Sequence, residues 1–144
     1  MRVAYLDTEQ INGSEDCISM YNRNLLITGW NKACEKKYGL SYDLVRNRPL
    51  LDIFPNSIND YRVACIREAA QQGKSFFFSN MIYNDGMGNY TQAIVPLRNM
   101  DGEITGALNI IRDLHEEKHF TKKDLLLPLL KSKYSQANIA HLLS

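Results

Sequence analysis

No apolar run in this chain approaches the ~20 residues that cross a bilayer, and the start "MRVAYLDTEQ" has no apolar signal core. A cytoplasmic protein without membrane attachment is therefore expected. Cysteine is scarce: Cys17, Cys34 and Cys65 are odd in number and form no CxxC pair. A disulfide framework or a zinc site is not expected from that spacing, and reduced thiols are. Charge of one sign is also missing. The formal net charge over 144 residues is +1, which gives no general attraction to nucleic acid or membrane. Residues 116–144 hold five lysines (118, 122, 123, 131 and 133) against Glu116, Glu117 and Asp124, a local +2.

The short supply of histidine removes several chemistries. His115, His119 and His141 all follow the last predicted strand, so no Ser/His/Asp set can be assembled. His115 and His119 stand four apart, a metal-binding spacing, but no third ligand accompanies them. A solvated helix face is the reading, and no metal site is expected. "NDGMGN" lies between two strand-like runs, not between a strand and a helix, so it is a hairpin and not a phosphate loop. An enzyme is not expected.

The patterned segments are more informative. "CISMY" (17–21) and "LLITGW" (25–30) read as a hairpin behind a polar lead, 1–16. Asn31 stands where a helix N-cap belongs, and Gly39 ends that short helix. Ser41 and Asp43 suit a helix start, Pro49 can open a second turn, and Pro55 stops it. Ser57 is placed to cap a longer helix, in which Ile58, Tyr61, Cys65 and Ala69 form one apolar stripe; Gly73 terminates it. "KSFFFSNMIY", "YTQAIVPLR" and "ITGALNIIRDL" then form a three-strand meander. This order predicts an α+β architecture: a five-stranded antiparallel sheet with helices on one face, plus a short C-terminal helical segment.

These residues resemble a PAS sensor domain over about 17–117. Asn31, the Tyr38-Gly39 pair, Asp52, Phe54 and Pro55 occupy the family's N-terminal pattern. Asp101-Gly102, Gly106 and Arg112-Asp113 occupy its C-terminal one. The resemblance implies a space between helices and sheet that holds a small molecule or is filled by side chains. Phe54, Tyr61, Cys65, Phe77, Ile94 and Leu108 are the candidates to face it. Haem would require an axial ligand, usually His, which the long helix lacks. The covalent flavin photochemistry of some members would require a cysteine that "RPLLDIFPN" does not carry. Neither cofactor is expected, and an unidentified small molecule and a filled core both remain open. Arg112 and Asp113 are the candidate signal junction; the plain alternative is an ion pair at a strand end.

The segment 118–144 resembles the opening of a LuxR/GerE-type helix-turn-helix. Phe120-Thr121, Lys123-Asp124, Leu129-Leu130, Ser135, Ile139-Ala140 and Leu142 match at the required spacing, with Thr121 capping the first helix. Pro128 inside that helix and Lys133 in place of the turn glycine depart from the pattern. The family's base-reading helix would begin after Ser144. This segment alone then offers DNA only weak backbone contacts, through Lys122, Lys123 and Lys133. The resemblance implies a homodimeric bacterial-type transcription regulator that meets DNA through a complete helix-turn-helix. The competing readings are the input module of a sensor histidine kinase or cyclic-dinucleotide enzyme, and a ligand-free dimerisation module.

Overall fold

The computed structural model describes residues 11–83, 86–114 and 119–130. Five strands form one antiparallel sheet in the order β2-β1-β5-β4-β3: β1 Cys17–Asn22, β2 Ile27–Trp30, β3 Phe76–Ile82, β4 Asn89–Arg98 and β5 Ile104–Leu114. Between β2 and β3 come α1 (Lys32–Tyr38), α2 (Tyr42–Val45), α3 (Leu50–Ile53), a 3₁₀ turn (Pro55–Ser57) and α4 (Tyr61–Gln72). Helix α5 (Lys122–Leu130) closes the described chain. This is the α+β sheet-and-helix architecture expected from the sequence.

Asn31 explains how the first half is held. It is fully buried and caps α1, its Oδ1 accepting from Cys34 N at 3.0 Å and from Ile18 N at 3.1 Å. Its Nδ2 donates to Ile11 O at 3.1 Å and Asp16 O at 2.7 Å. One side chain thus uses two lone pairs and two protons to join the lead, β1 and α1. Gly39, at φ 68°, ends α1 with its N–H on Glu35 O, a left-handed cap that glycine adopts without strain.

The long helix begins later than Ser57. Asp60 is its cap, accepting from Arg62 N, and Ser57 ends the preceding 3₁₀ turn. Of the stripe Ile58-Tyr61-Cys65-Ala69 only Ala69 is on the buried face: Ile58 and Tyr61 are exposed and Cys65 is partly so, while Val63, Ile66 and Ala70 are buried beside Ala69. That face also has helical spacing. A stripe that included the exposed Tyr61 outcompeted it in the sequence because two of its members are alanines.

Both faces of the sheet are covered. On the inner face, Trp30, Ile94, Ala107 and Ile111 meet Cys34, Val45, Leu50, Val63 and Ile66 of the helices. Trp30 donates its indole N–H to Leu40 O at 3.0 Å and sits 5.3 Å from Tyr38 and 6.2 Å from Phe54 between ring centroids. On the outer face, Ile18, Met20, Ala93, Val95, Leu108 and Ile110 meet Leu125, Leu126 and Leu129 of α5, with Ile11 from the lead. Thr121 and Asp124 cap α5 reciprocally: Asp124 N donates to Thr121 Oγ1 at 3.1 Å and Thr121 N to Asp124 Oδ2 at 2.8 Å. The helix runs through Pro128.

Candidate functional site

Strand alternation decides what the inner face presents. In β4, Tyr90, Gln92 and Ile94 point toward the helices; in β5, Ala107, Asn109 and Ile111 do. Two of these are polar in the middle of apolar strands. Gln92 is 2% exposed and Asn109 7%. Gln92 Nε2 donates to Asn109 Oδ1 at 2.7 Å, Asn109 Nδ2 donates to Ser19 Oγ at 3.3 Å, and Tyr21 OH donates to the same Oγ at 2.9 Å. The chain of bonds crosses three strands. Its far end is open, because Gln92 Oε1 is buried and has no hydrogen-bond partner among the described residues.

This ladder floors a cavity of about 180 Å³ roofed by Leu50, Phe54, Val63 and Ile66, with Tyr38 at its side. The apolar roof comes from α3, its C-cap and α4; the polar floor comes from β1, β5 and β4. At the rim, Arg62 forks onto Asp60 at 2.7 Å and donates to Tyr90 OH at 2.7 Å. The hydrogen bonds from Arg62 hold the Asp60 carboxyl below its usual range. Burial pushes the Tyr21 and Tyr38 phenols up, so both stay neutral. The site therefore offers uncharged donors and acceptors, and its one charged pair is internally neutralised.

Of the six side chains expected to face this space, Phe54 lines it and Ile94 lies in the same inner cluster. Tyr61 does not line it: it is half exposed and meets Phe78 edge-on at 5.4 Å. Cys65 sits on the flank of α4, partly exposed, its thiol pushed up by burial and then by Glu68. Phe77 and Leu108 belong to the outer face, against α5, because each falls on the opposite parity of its strand from the inward residues. Gln92, Asn109, Ser19 and Tyr21 were missed. Their signal was a polar residue interrupting each of two apolar strands.

The junction residues leave β5 on opposite sides and do not pair with each other. Arg112 joins Asp16 on the outer side, Nη2 to Oδ2 at 2.8 Å, and its guanidinium lies 4.6 Å over the Phe120 ring. Asp113 accepts from Tyr83 OH and stands 3.6 Å from Lys37 Nζ. Lys122 and Lys123 sit in the first turn of α5. Lys133, and with it Ser135, Ile139, Ala140 and Leu142, lies outside the described residues.

A sheet of this order, with helices over a partly polar inner cavity, defines an α+β module. A family model described as PAS fold matches residues 11–119, and the chain belongs to that family. No curated protein matches it in sequence. Among solved structures, the PAS domain of a Colwellia psychrerythraea protein is 25% identical, with a TM-score of 0.54, covering 74% of this chain and 92% of that one. The PAS domain of histidine kinase ThkA is 22% identical, with a TM-score of 0.56, over 68% and 98% of the two chains. The Vibrio cholerae VqmA dimer, described as a LuxR-type receptor, shares the fold at 19% identity and a TM-score of 0.58, over 76% of this chain and 52% of that one. No helix among the described residues is long and apolar enough to cross a membrane.

Proposed function

We propose that the chain is the ligand-sensing PAS module of a LuxR-type transcription regulator that acts as a homodimer. The observation that carries the sensing part is Gln92 Oε1, a buried acceptor without a partner among the described residues, at the edge of a cavity. Folded proteins satisfy nearly all such atoms, and a core merely filled by side chains would not place an amide there. The ligand this site suits is a small neutral molecule with an N–H or O–H donor for Gln92 and apolar surface for Phe54, Val63 and Ile66. An ion would find no unpaired opposite charge. Binding would stabilise the closed arrangement of α3 and α4 over the sheet by mass action.

The regulator part rests on the pattern from Phe120 to Leu142 and on the reciprocal Thr121–Asp124 cap that starts its first helix. Native mass spectrometry of the protein as purified tests the sensing reading. The expected result is a retained small molecule in the wild type that is lost in Gln92→Leu at unchanged fold. Wild-type protein of bare polypeptide mass, unshifted in melting temperature by extracts of its host, would overturn it. The regulator reading is tested separately, by whether the full-length gene product shifts DNA with a steep salt dependence.

A further inference from the structure

Cys17 and Cys34 stand apart in sequence but together in space. Cys17 opens β1 and points inward; Cys34 sits in the first turn of α1. Their sulfurs are 2.7 Å apart. The geometry points to a covalent modification site: we infer that Cys17 and Cys34 are a dithiol pair that a peroxide converts to an intramolecular disulfide. The inference is independent of the ligand reading.

Three observations carry it. The sulfurs need approach by only about 0.7 Å to reach the ~2.05 Å of a disulfide bond. The hub at Asn31, bonded to Ile18 N and Cys34 N, fixes β1 and α1 together, so the encounter is built into the fold. The two thiols are also unequal in access. Cys34 is fully buried and donates to Ile18 O at 3.2 Å. Cys17 is 7% exposed and lines an open cavity of about 570 Å³ with Ala33, Lys37, Arg112 and Asp113. An oxidant reaches Cys17 from that side.

The chemistry balances in two steps. The Cys17 thiol loses its proton and its sulfur attacks one peroxide oxygen. The O–O bond breaks, leaving a sulfenic acid on Cys17 and, after the proton is taken up, water from hydrogen peroxide. The Cys34 sulfur then attacks the Cys17 sulfur, expelling hydroxide, which takes the Cys34 proton and leaves as a second water. Two thiols have given up two electrons and two protons, and the peroxide has accepted both. The Cys17 hydrogen bond and burial hold the Cys34 thiol well above its usual range, which disfavours it as the first nucleophile; its part in the second step rests on its place against the Cys17 sulfur.

The test uses the whole chain and its Cys65→Ser variant, which removes the third, more exposed thiol. Each is treated with hydrogen peroxide, freed of oxidant, unfolded in denaturant so that buried thiols are reached, blocked with an alkylating agent, and read by intact mass and by non-reducing digestion. The expected result in both proteins is the loss of two alkylatable thiols and one cross-linked peptide joining Cys17 to Cys34; the Cys65→Ser chain should weigh about 2 Da less than its reduced, unalkylated form, and the wild type should carry a single alkyl group, on Cys65. Dimedone should trap Cys17 in Cys34→Ser and only weakly in the wild type. Cys17 and Cys34 both still alkylatable after peroxide, or oxidation confined to Cys65-linked dimers, would overturn the inference.

Discussion

Arg112 forms a two-pronged ion pair with Asp16, ninety-six residues away in sequence: Nε lies 3.0 Å from Oδ1 and Nη2 2.8 Å from Oδ2. The β1–β5 register, which pairs Cys17 with Ile111, brings the next two residues opposite each other. The same guanidinium covers Phe120. One side chain therefore joins the N-terminal lead, the last strand and the residue before the α5 cap.

Arg112→Ala should lower stability by about 1–3 kcal/mol. That lies above the value of an exposed pair and below that of a fully buried one, because the two side chains are 21% and 11% exposed. Asp16→Asn should lose less, since its amide can still accept from the guanidinium. Urea denaturation of the two variants checks the order. In a full-length reporter, Arg112→Ala should also weaken coupling to the output, whereas Asp113→Ala, tied to Tyr83 and Lys37 instead, should not. Equal loss of signalling in both variants would contradict this assignment.

Asp60 supplies a pH dependence whose sign follows from its pairing. Its carboxyl is held low in the folded state, first by the Arg62 side chain and then by the Arg62 amide, against an ordinary value of about 3.9. The stabilisation is present in full above that ordinary value and is lost as pH falls through the lower folded one. Asparagine is an equally good cap but carries no charge. Wild type should therefore exceed Asp60→Asn by about 1 kcal/mol near neutrality, allowing for solvent screening. The gap should narrow as pH falls from about 5 to about 3. Urea midpoints across that range measure it; a constant gap would mean the pair contributes nothing as a pair.

Gly106 and Gly29 should respond very differently to alanine. A Cβ on Gly106 would lie 1.9 Å from the Tyr21 carbonyl oxygen and 3.1 Å from Asn22 Cα, backbone that cannot yield without breaking the β1–β5 ladder. Gly106→Ala should cost about 3 kcal/mol or more. A Cβ on Gly29 meets chiefly the terminal Cε of Met20, at 2.3 Å, which can swing away. Its cost should stay near 1 kcal/mol. Thermal melts of the pair separate the two cases.

The succession of strands and helices along the chain, the Asn31 and Thr121 caps and the glycine stops were legible because each depends on chemistry local to a few residues. Asn31 announced itself by type and place. The face of α4 was not legible: two overlapping stripes exist in 58–72, and only tertiary contact selects Val63 and Ile66 over Tyr61 and Cys65. Phe77 and Leu108 were misassigned for a simpler reason. In a sheet covered on both sides apolar residues fall on both parities of a strand, as Phe76, Phe77 and Phe78 do in β3 and Ala107, Leu108, Ile110 and Ile111 in β5, so parity alone does not reveal the inner face. Gln92 and Asn109 were the legible clue to the site, and they stood out by being polar. The meeting of Cys17 with Cys34 could not be read from spacing, since it depends on how α1 folds back over β1.

The sheet also works as a party wall. Gln92 looks into the cavity and its neighbour Ala93 looks out; Asn109 looks in, while Leu108 and Ile110 look out, onto the surface where Leu125, Leu126 and Leu129 rest. The two tenants are separated by the thickness of one peptide plane. If the proposed ligand drew the Gln92–Asn109 ladder toward itself, it would reshape the bed on which α5 lies without any message passing along the chain to residue 120. For a sensor, that would be the shortest wiring a single layer of strands allows, with the grip on α5 as the readout of what the cavity holds.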